Sequence, residues 1–174
     1  MIFAVVGPSG AGKDLLIRGA LAARPDLRLV RRVITRPADA GSEDHEPATE
    51  DGFLARVAQG DFALFWHAHG LSYGLPKQAF EAPGDVLFNG SRAVLSDAAR
   101  VFPGLQVILV TAPDDILAAR LAARGRENPD DIRARLARGD FALPDGIDAR
   151  TVINDGTPDA GVSKFLAALQ PVSA

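Results

Sequence analysis

Residues 7–14 read GPSGAGKD and combine glycines with a lysine at a fixed spacing. Glycines allow the backbone to turn and to approach an anion where a Cβ atom would clash. The N–H groups of such a loop bind phosphate oxygens together with the N-terminus of a following helix, and the lysine adds a positive charge. The match to the pattern G-x-x-x-x-G-K therefore predicts a loop that binds a nucleoside triphosphate. The predicted nucleotide-binding residues are Gly7, Pro8, Ser9, Gly10, Ala11, Gly12, Lys13 and Asp14, with Lys13 also in a catalytic role.

Asp14 is the unusual residue of this loop, because the pattern normally continues with a serine or threonine whose hydroxyl binds magnesium. A carboxylate can also bind magnesium, directly or through water. Alternatively, Asp14 is an acidic residue in the first turn of a helix, where the helix dipole favours negative charge. The sequence leaves both roles open, and we predict Asp14 as a metal ligand.

The elements around the loop are those that the motif requires. Residues 2–6 (IFAVV) form a continuous apolar run, typical of a strand that is buried on both faces. Residues 13–23 have apolar side chains at helical spacing, and Pro25 ends this helix. Further strands are predicted at 27–36, in the second half of 51–65, and at 85–90, 105–112 and 151–155. A loop is predicted at 37–51, and an irregular stretch with a short helix at 66–84. Strands that alternate with helices predict an α/β fold with a parallel sheet flanked by helices.

The composition argues against several other kinds of protein. The chain has 174 residues, 47% of them apolar, which fits one compact domain. It contains no cysteine, which excludes disulfides, thiol catalysis and cysteine-bound zinc. A net charge of -3 does not suit nucleic-acid binding. With no long apolar run and no basic leader, we expect no membrane span and a cytoplasmic location. His67 and His69 have no third ligand nearby in the sequence, so zinc is not expected.

Several short motifs occur in order along the whole chain. They are GPSGAGKD, ITR (34–36), YG (73–74), NGSR (89–92), RGREN (124–128), IRARLAR (132–138) and IND (153–155). In this order they resemble the ribose 1,5-bisphosphate phosphokinases, relatives of guanylate kinase that act in phosphonate breakdown. The resemblance implies a single P-loop NTPase domain over 1–174, with ATP as co-substrate and Mg²⁺. Its core would comprise 1–34, 85–124 and 139–174, with a substrate-binding insertion at about 35–84 and a lid at about 125–138. The GKD ending is a trait of this family.

Three departures from guanylate kinase concern the acceptor. Asp39 stands where guanylate kinase has a second phosphate-binding arginine, and Leu64 or Phe65 stands near the glutamate that reads guanine. Arg32 replaces a serine that lies near the base. The resemblance therefore implies an acceptor that lacks a base and is rich in phosphate.

The same resemblance implies the residues that contact this acceptor. Arginines are prominent among them, because guanidinium groups match phosphate oxygens. The implied contact residues are Arg32, Arg36, Tyr73, Asn89, Ser91 and Arg92. Each has an ordinary alternative: a solvated arginine, a packed ring or a loop cap. His45, in the acidic loop, either contacts the substrate or has no role.

Arg124 and Arg135 flank the implied lid and are predicted to stabilise the charge of the transferring phosphoryl group. Otherwise Arg124 would be a helix-end cation and Arg135 part of a solvated face. Asn154 matches a position near adenine in the relatives, or forms a turn before Gly156.

The implied activity is the ATP-dependent phosphorylation of ribose 1,5-bisphosphate to 5-phospho-α-D-ribosyl 1-diphosphate, so the expected partner is a phosphorylated sugar. The alternatives are a guanylate kinase, which the missing arginine and glutamate disfavour, and a non-catalytic binding module, which the presence of Lys13, Arg124 and Arg135 disfavours. The oligomeric state is open.

Overall fold

The computed structural model of the chain describes residues 1–39, 43–123 and 142–171, which form two β-sheets and the helices around them. The strands are β1 (Ile2–Val6), β2 (Arg28–Leu29), β3 (Val33–Ile34), β4 (Glu46–Pro47), β5 (Phe62–Ala68), β6 (Leu71–Pro76), β7 (Val86–Asn89), β8 (Gln106–Thr111) and β9 (Ala149–Ile153). The α-helices are α1 (Lys13–Ala23), α2 (Glu50–Gln59), α3 (Leu95–Val101), α4 (Asp114–Ala123) and α5 (Pro158–Ala168). Short 3₁₀ helices cover Lys77–Phe80 and Arg92–Val94.

The main sheet is parallel and has the strand order β2-β7-β1-β8-β9. β1 lies at its centre, so that Ala4 pairs with Phe88 on one side and with Val107 on the other. Residues 3–6 are completely buried, as a strand covered on both faces requires. The α/β prediction from the alternating pattern is therefore confirmed.

Two hydrophobic clusters cover the two faces of this sheet. The first lies under α1, α4 and α5 and includes Leu16, Leu117 and Phe165. The second lies under α3 and the smaller sheet and includes Phe88 and Trp66. The smaller sheet thus packs against the core, and its position relative to the main sheet is fixed by apolar contacts.

The smaller sheet has the order β4-β3-β6-β5, and two of its features differ from the sequence predictions. The single strand predicted at 27–36 is two short strands in different sheets, because the chain leaves the main sheet after Val30, whose N–H donates to Leu87 O. The loop predicted at 37–51 contains the two-residue strand β4 and the start of α2. An apolar run cannot by itself show which sheet its residues join.

β6 was also missed, because Gly74 and Pro76 within it are poor strand formers. Its partner β5 joins it through His69 and Gly70, whose φ angles of 52° and 74° define a tight hairpin turn. His69 therefore lies in a turn, whereas His67 lies on β5.

Within the described ranges, no helix has both the length and the apolar character needed to cross a membrane. The predicted lid at about 125–138 lies outside the described residues, and the domain limits given above stay predictions.

Candidate active site

The loop of residues 7–12 connects the carboxyl end of β1 to α1, as the motif requires. At two positions only glycine fits. A Cβ atom on Gly7 would lie 1.9 Å from Val110 O, and one on Gly12 would lie 2.4 Å from Asn154 Nδ2; both residues have positive φ angles. The glycines therefore fix the path of the loop against its neighbours, while its following helix supplies N–H groups for an anion.

Lys13 reaches back over this loop. Its Nζ donates hydrogen bonds to Gly7 O at 2.8 Å and to Pro8 O at 3.1 Å. The ammonium group thus lies beside the loop whose N–H groups are expected to hold the phosphates. This placement fits the predicted role of Lys13 as a cation for the terminal phosphates.

Asn154 and Arg120 support the loop from behind. The Asn154 side chain is buried, and its Nδ2 donates to Ala11 O at 2.8 Å. Arg120, on α4, donates to Asn154 O at 3.0 Å and to Gly10 O at 3.4 Å. The amide of Asn154 is thus directed at the loop, and its predicted place near adenine stays a prediction. Arg120 was not predicted from the sequence, although its place on the helix before the predicted Arg124 was a usable signal.

Asp14 lies in the first turn of α1, beside the end of β7. Asn89 Nδ2 is 3.5 Å from Asp14 Oδ1, a long contact that places the amide next to the carboxylate. A carboxylate at the start of the helix and beside the phosphate loop has the oxygen donor that Mg²⁺ prefers. The site thus fits a magnesium ion held by Asp14, and it also fits the alternative of an acid that interacts with the helix dipole.

Arg32 is held in an aromatic and acidic environment. Its guanidinium forms a two-point ion pair with the carboxylate of Glu43, and its Nη1 donates to Asn89 O at 3.0 Å. The same group lies 5.0 Å from the ring centroid of Tyr73 and 6.0 Å from that of Trp66, and the two rings stack on each other. The charge of Arg32 is therefore compensated by Glu43. The predicted contact of Arg32 with a substrate phosphate would require this ion pair to rearrange.

Arg36 has different surroundings. Its Nη2 lies 3.3 Å from His45 Nδ1, and within the described residues no carboxylate is within salt-bridge distance of it. Its Nε is buried and has no hydrogen-bond partner there. Arg36 therefore carries a positive charge that the described part of the protein does not neutralise, which is the condition for binding an anionic ligand.

The other predicted acceptor residues lie in the same region. Ser91 follows β7, and its Oγ accepts a hydrogen bond from Ala93 N at 3.4 Å, which is the loop-capping alternative. Arg92 donates to Ala142 O at 3.2 Å.

Of the two residues considered for the guanine-reading position, Leu64 is buried beside Leu75, whereas Phe65 is 52% exposed.

The site is thus assembled at the carboxyl ends of β1 and β7, together with residues just after β3, where open parallel sheets bind ligands. Its predicted donor half is the phosphate loop with Lys13 and Asp14. Its predicted acceptor half comprises Tyr73 on β6 and Arg32 and Arg36, which lie just before and just after β3. Arg124 and Arg135 lie outside the described residues, so their roles stay predictions.

A phosphate loop between the first strand and first helix of a parallel sheet is the mark of a P-loop NTPase. The fold is similar to that of the guanylate kinase from Anaplasma phagocytophilum, with a TM-score of 0.65 and 16% identity, covering 98% of this chain and 87% of that one. It is also similar to a gluconokinase from Sinorhizobium meliloti 1021, with a TM-score of 0.54 and 17% identity over 96% of this chain and 90% of the other. At this identity the likeness shows the fold, which is the α/β fold of P-loop NTPases.

Sequence relatives define the family more closely, although no protein-family model matches the chain. The "Ribose 1,5-bisphosphate phosphokinase PhnN" of Ruegeria sp. (strain TM1040) is 48% identical over 173 residues, which are 97% of this chain and 91% of the relative. The "Bifunctional ribose 1,5-bisphosphokinase-thymidine phosphorylase" of Cupriavidus pinatubonensis is 49% identical over 97% of this chain, which spans only 29% of that relative's length. The chain belongs to the ribose 1,5-bisphosphate phosphokinase PhnN family, which confirms the resemblance seen in the sequence motifs.

Proposed function

We propose that this protein transfers the γ-phosphoryl group of ATP to the 1-phosphate of ribose 1,5-bisphosphate, forming 5-phospho-α-D-ribosyl 1-diphosphate and ADP. One observation carries the proposal: the chain combines a phosphate loop with a second half-site in which Arg36 is uncompensated among the described residues. Leu64 or Phe65 stands near the position of the guanine-reading glutamate. Such a half-site suits a phosphorylated ligand that has no base.

On the donor side, the loop N–H groups and Lys13 would hold the β- and γ-phosphates. Asp14 would hold Mg²⁺, which supplies charge neutralisation of the triphosphate when it is bound. Arg124 and Arg135 would stabilise the negative charge that spreads over the transferring phosphoryl oxygens. Each of these residues acts through position and charge, which is the usual form of catalysis in phosphoryl transfer.

On the acceptor side, the chemistry needs little activation of the nucleophile. The second pKa of a phosphate monoester is about 6, so its oxygen is mostly ionised at neutral pH. That oxygen attacks the γ-phosphorus, a new P–O bond forms, and the bond from the γ-phosphorus to the β–γ bridging oxygen breaks as ADP leaves. Arg36 would orient the acceptor by binding one of its phosphates, with Arg92 and Tyr73 as further proposed contacts.

The proposal distinguishes this acceptor from GMP. A guanine base needs polar partners for its edge, and guanylate kinase supplies a glutamate near the position that Leu64 or Phe65 occupies in this chain. Without that carboxylate, the guanine atoms it would pair with lose their hydrogen bonds. Leu64 packs with Leu75 and Trp66 in the apolar cluster, and Asp39 adds negative charge where guanylate kinase has a phosphate-binding arginine. Both features support a sugar phosphate as acceptor. A role in phosphonate breakdown and a cytoplasmic location are further parts of the proposal.

The test is an assay of the purified protein with ATP and Mg²⁺, with ribose 1,5-bisphosphate or GMP as the acceptor. Production of ADP is followed by a coupled assay and the phosphorylated product by ³¹P NMR. The Lys13→Ala variant, prepared in parallel, controls for contaminating kinases. We expect turnover of the sugar and little turnover of GMP. Faster phosphorylation of GMP than of the sugar would overturn the proposal, and no turnover of either would favour a binding module.

A further inference from the structure

His45 is a buried histidine for which the proposed reaction has no direct use. It is 3% exposed and lies just before β4, at the base of the loop that connects β3 to β4. Its Nε2 is 3.1 Å from Arg36 O, and its Nδ1 is 3.0 Å from Glu43 O and 3.3 Å from Arg36 Nη2. The ring therefore touches both the backbone and the guanidinium of the residue expected to bind the acceptor.

The chemistry of the two partners determines which bonds can form together. A guanidinium has only donors, so a hydrogen bond between Arg36 Nη2 and His45 Nδ1 requires Nδ1 to be the acceptor. The proton of the neutral ring is then on Nε2, which faces Arg36 O and can donate to it. In this tautomer His45 holds Arg36 at two points, through the carbonyl and through the side chain. Glu43 O is the competing partner of Nδ1.

The other charged side chains near His45 are paired with one another. Glu43 pairs with Arg32, whereas Arg31 pairs with Asp44 and donates to His45 O. Among the described residues, Arg36 is thus the charged side chain in hydrogen-bond contact with the His45 ring. Because Arg36 Nε has no partner there, the contact with His45 is what sets the direction of the guanidinium.

We propose that His45 is a positioning residue, which fixes the Arg36 guanidinium in the orientation that receives a phosphate of the acceptor. The inference rests on the proposed function and deepens it. Its physical basis is pre-organisation: an arginine that is already held loses less conformational freedom when the phosphate binds. The expected consequence is an effect on acceptor affinity, with little effect on the chemical step or on ATP.

Two carboxamide variants separate the two ring nitrogens. In His45→Asn, the amide lies near the position of Nδ1, so its oxygen can accept from Arg36 Nη2. In His45→Gln, the amide reaches the position of Nε2 and can donate to Arg36 O, but no acceptor remains beside the guanidinium. We expect His45→Ala and His45→Gln to raise the sugar KM about tenfold, as the loss of a hydrogen bond to a charged group does. His45→Asn should stay within about threefold of the wild type, and kcat and the KM for ATP should change little in all three.

A double-mutant cycle with Arg36→Ala distinguishes positioning from loop closure through Glu43 O. If His45 acts through Arg36, His45→Ala should cause no further rise in KM once Arg36 is alanine. The control is His69→Ala, because His69 lies in the exposed turn between β5 and β6, and this variant should behave like the wild type. Circular dichroism establishes that each variant is folded. If His45→Ala does not fold, the comparison of His45→Asn with His45→Gln tests the positioning role.

Calorimetric Kd values for ribose 1,5-bisphosphate, measured without ATP, provide a readout independent of turnover. A wild type that binds the sugar but does not phosphorylate it overturns the proposed function alone, and the Kd values of the same variants then decide the role of His45. Additive effects of His45→Ala and Arg36→Ala on Kd, or equal Kd values for His45→Asn and His45→Gln, would overturn the positioning role. A wild type without measurable sugar binding would overturn both.

Discussion

Replacement of Gly161 by alanine tests how tightly the phosphate loop is supported from behind. Gly161 lies on α5, and a Cβ atom there would be 2.6 Å from Asn154 Oδ1 and 2.9 Å from Leu16 Cδ2. Asn154 holds the loop through Ala11 O, and Leu16 belongs to α1, which follows the loop. The added methyl group therefore pushes on both supports of the phosphate site.

Two opposing effects determine the sign of the stability change. Alanine is favoured over glycine in a helix interior by about 0.8–1.0 kcal/mol. Overpacking of a close-packed core costs about 1–3 kcal/mol, and loss of the Asn154 hydrogen bond to Ala11 O costs about 1 kcal/mol more. The unfavourable effects are larger, so Gly161→Ala should lower the free energy of unfolding by about 1–3 kcal/mol. It should also weaken ATP binding, because the loop loses its support.

The assay is urea unfolding, combined with a calorimetric Kd for ATP. Gly52→Ala is the matched control: Gly52 is also helical, but its Cβ atom would contact only Thr49 Oγ1, at 3.1 Å. This variant should be unchanged or more stable by up to about 1 kcal/mol, with the same Kd for ATP. A Gly161→Ala protein that is as stable as the wild type would refute the argument from close packing. Equal destabilisation of both variants would show that the effect does not come from Asn154.

Three further predictions concern single charged residues. Lys13→Ala should lower kcat about 10²–10³-fold in steady-state assays with an unchanged circular dichroism spectrum, and near wild-type turnover would reject its catalytic role. Asp14→Ala should raise the Mg²⁺ concentration for half-maximal rate, and Asp14→Ser should largely restore it; identical titrations would leave Asp14 as a helix-dipole partner. A hydrogen bond from Lys164, at 2.8 Å, lowers the pKa of Asp155, so Lys164→Ala should raise that pKa toward its ordinary value in an NMR titration. Because the pKa is lowered in the folded state, any stability from this pair is present above the ordinary pKa and is lost as the pH falls, and it should be small for so exposed a pair.

The strand, loop and helix that form the donor half could be predicted from the sequence because their signals are local. The apolar run 2–6, the glycines and the lysine are contiguous, and each has a direct physical meaning. The structure places β1 at the centre of the sheet and Lys13 over the loop, as these signals imply. Close contacts over long sequence distances were not predictable, and Asn154, which is 143 positions from Ala11, is the clearest example.

The acceptor half was less predictable because its signals depend on which segments meet. β6 contains Gly74 and Pro76, and its strand character comes from pairing with β5 and β3. The number of arginines near the acceptor site also did not give its net charge. Arg32 and Arg36 were both predicted to contact the acceptor, but folding brings Glu43 to Arg32 and leaves Arg36 with His45. The positive potential of a site is set by such pairings, and a sequence shows the charges without showing their partners.

The two halves of the site meet at Asn89, at the end of β7. Its side chain contacts Asp14 of the donor half, and its carbonyl oxygen accepts a hydrogen bond from Arg32 of the acceptor half. β7 is paired with β1 and β2 in the main sheet, so the residue between the halves is held by a fixed strand. Phosphoryl transfer depends on the distance and alignment of donor and acceptor, to which an error of 1 Å matters. A residue on a paired strand, in contact with residues of both predicted halves, is therefore well placed to set this spacing.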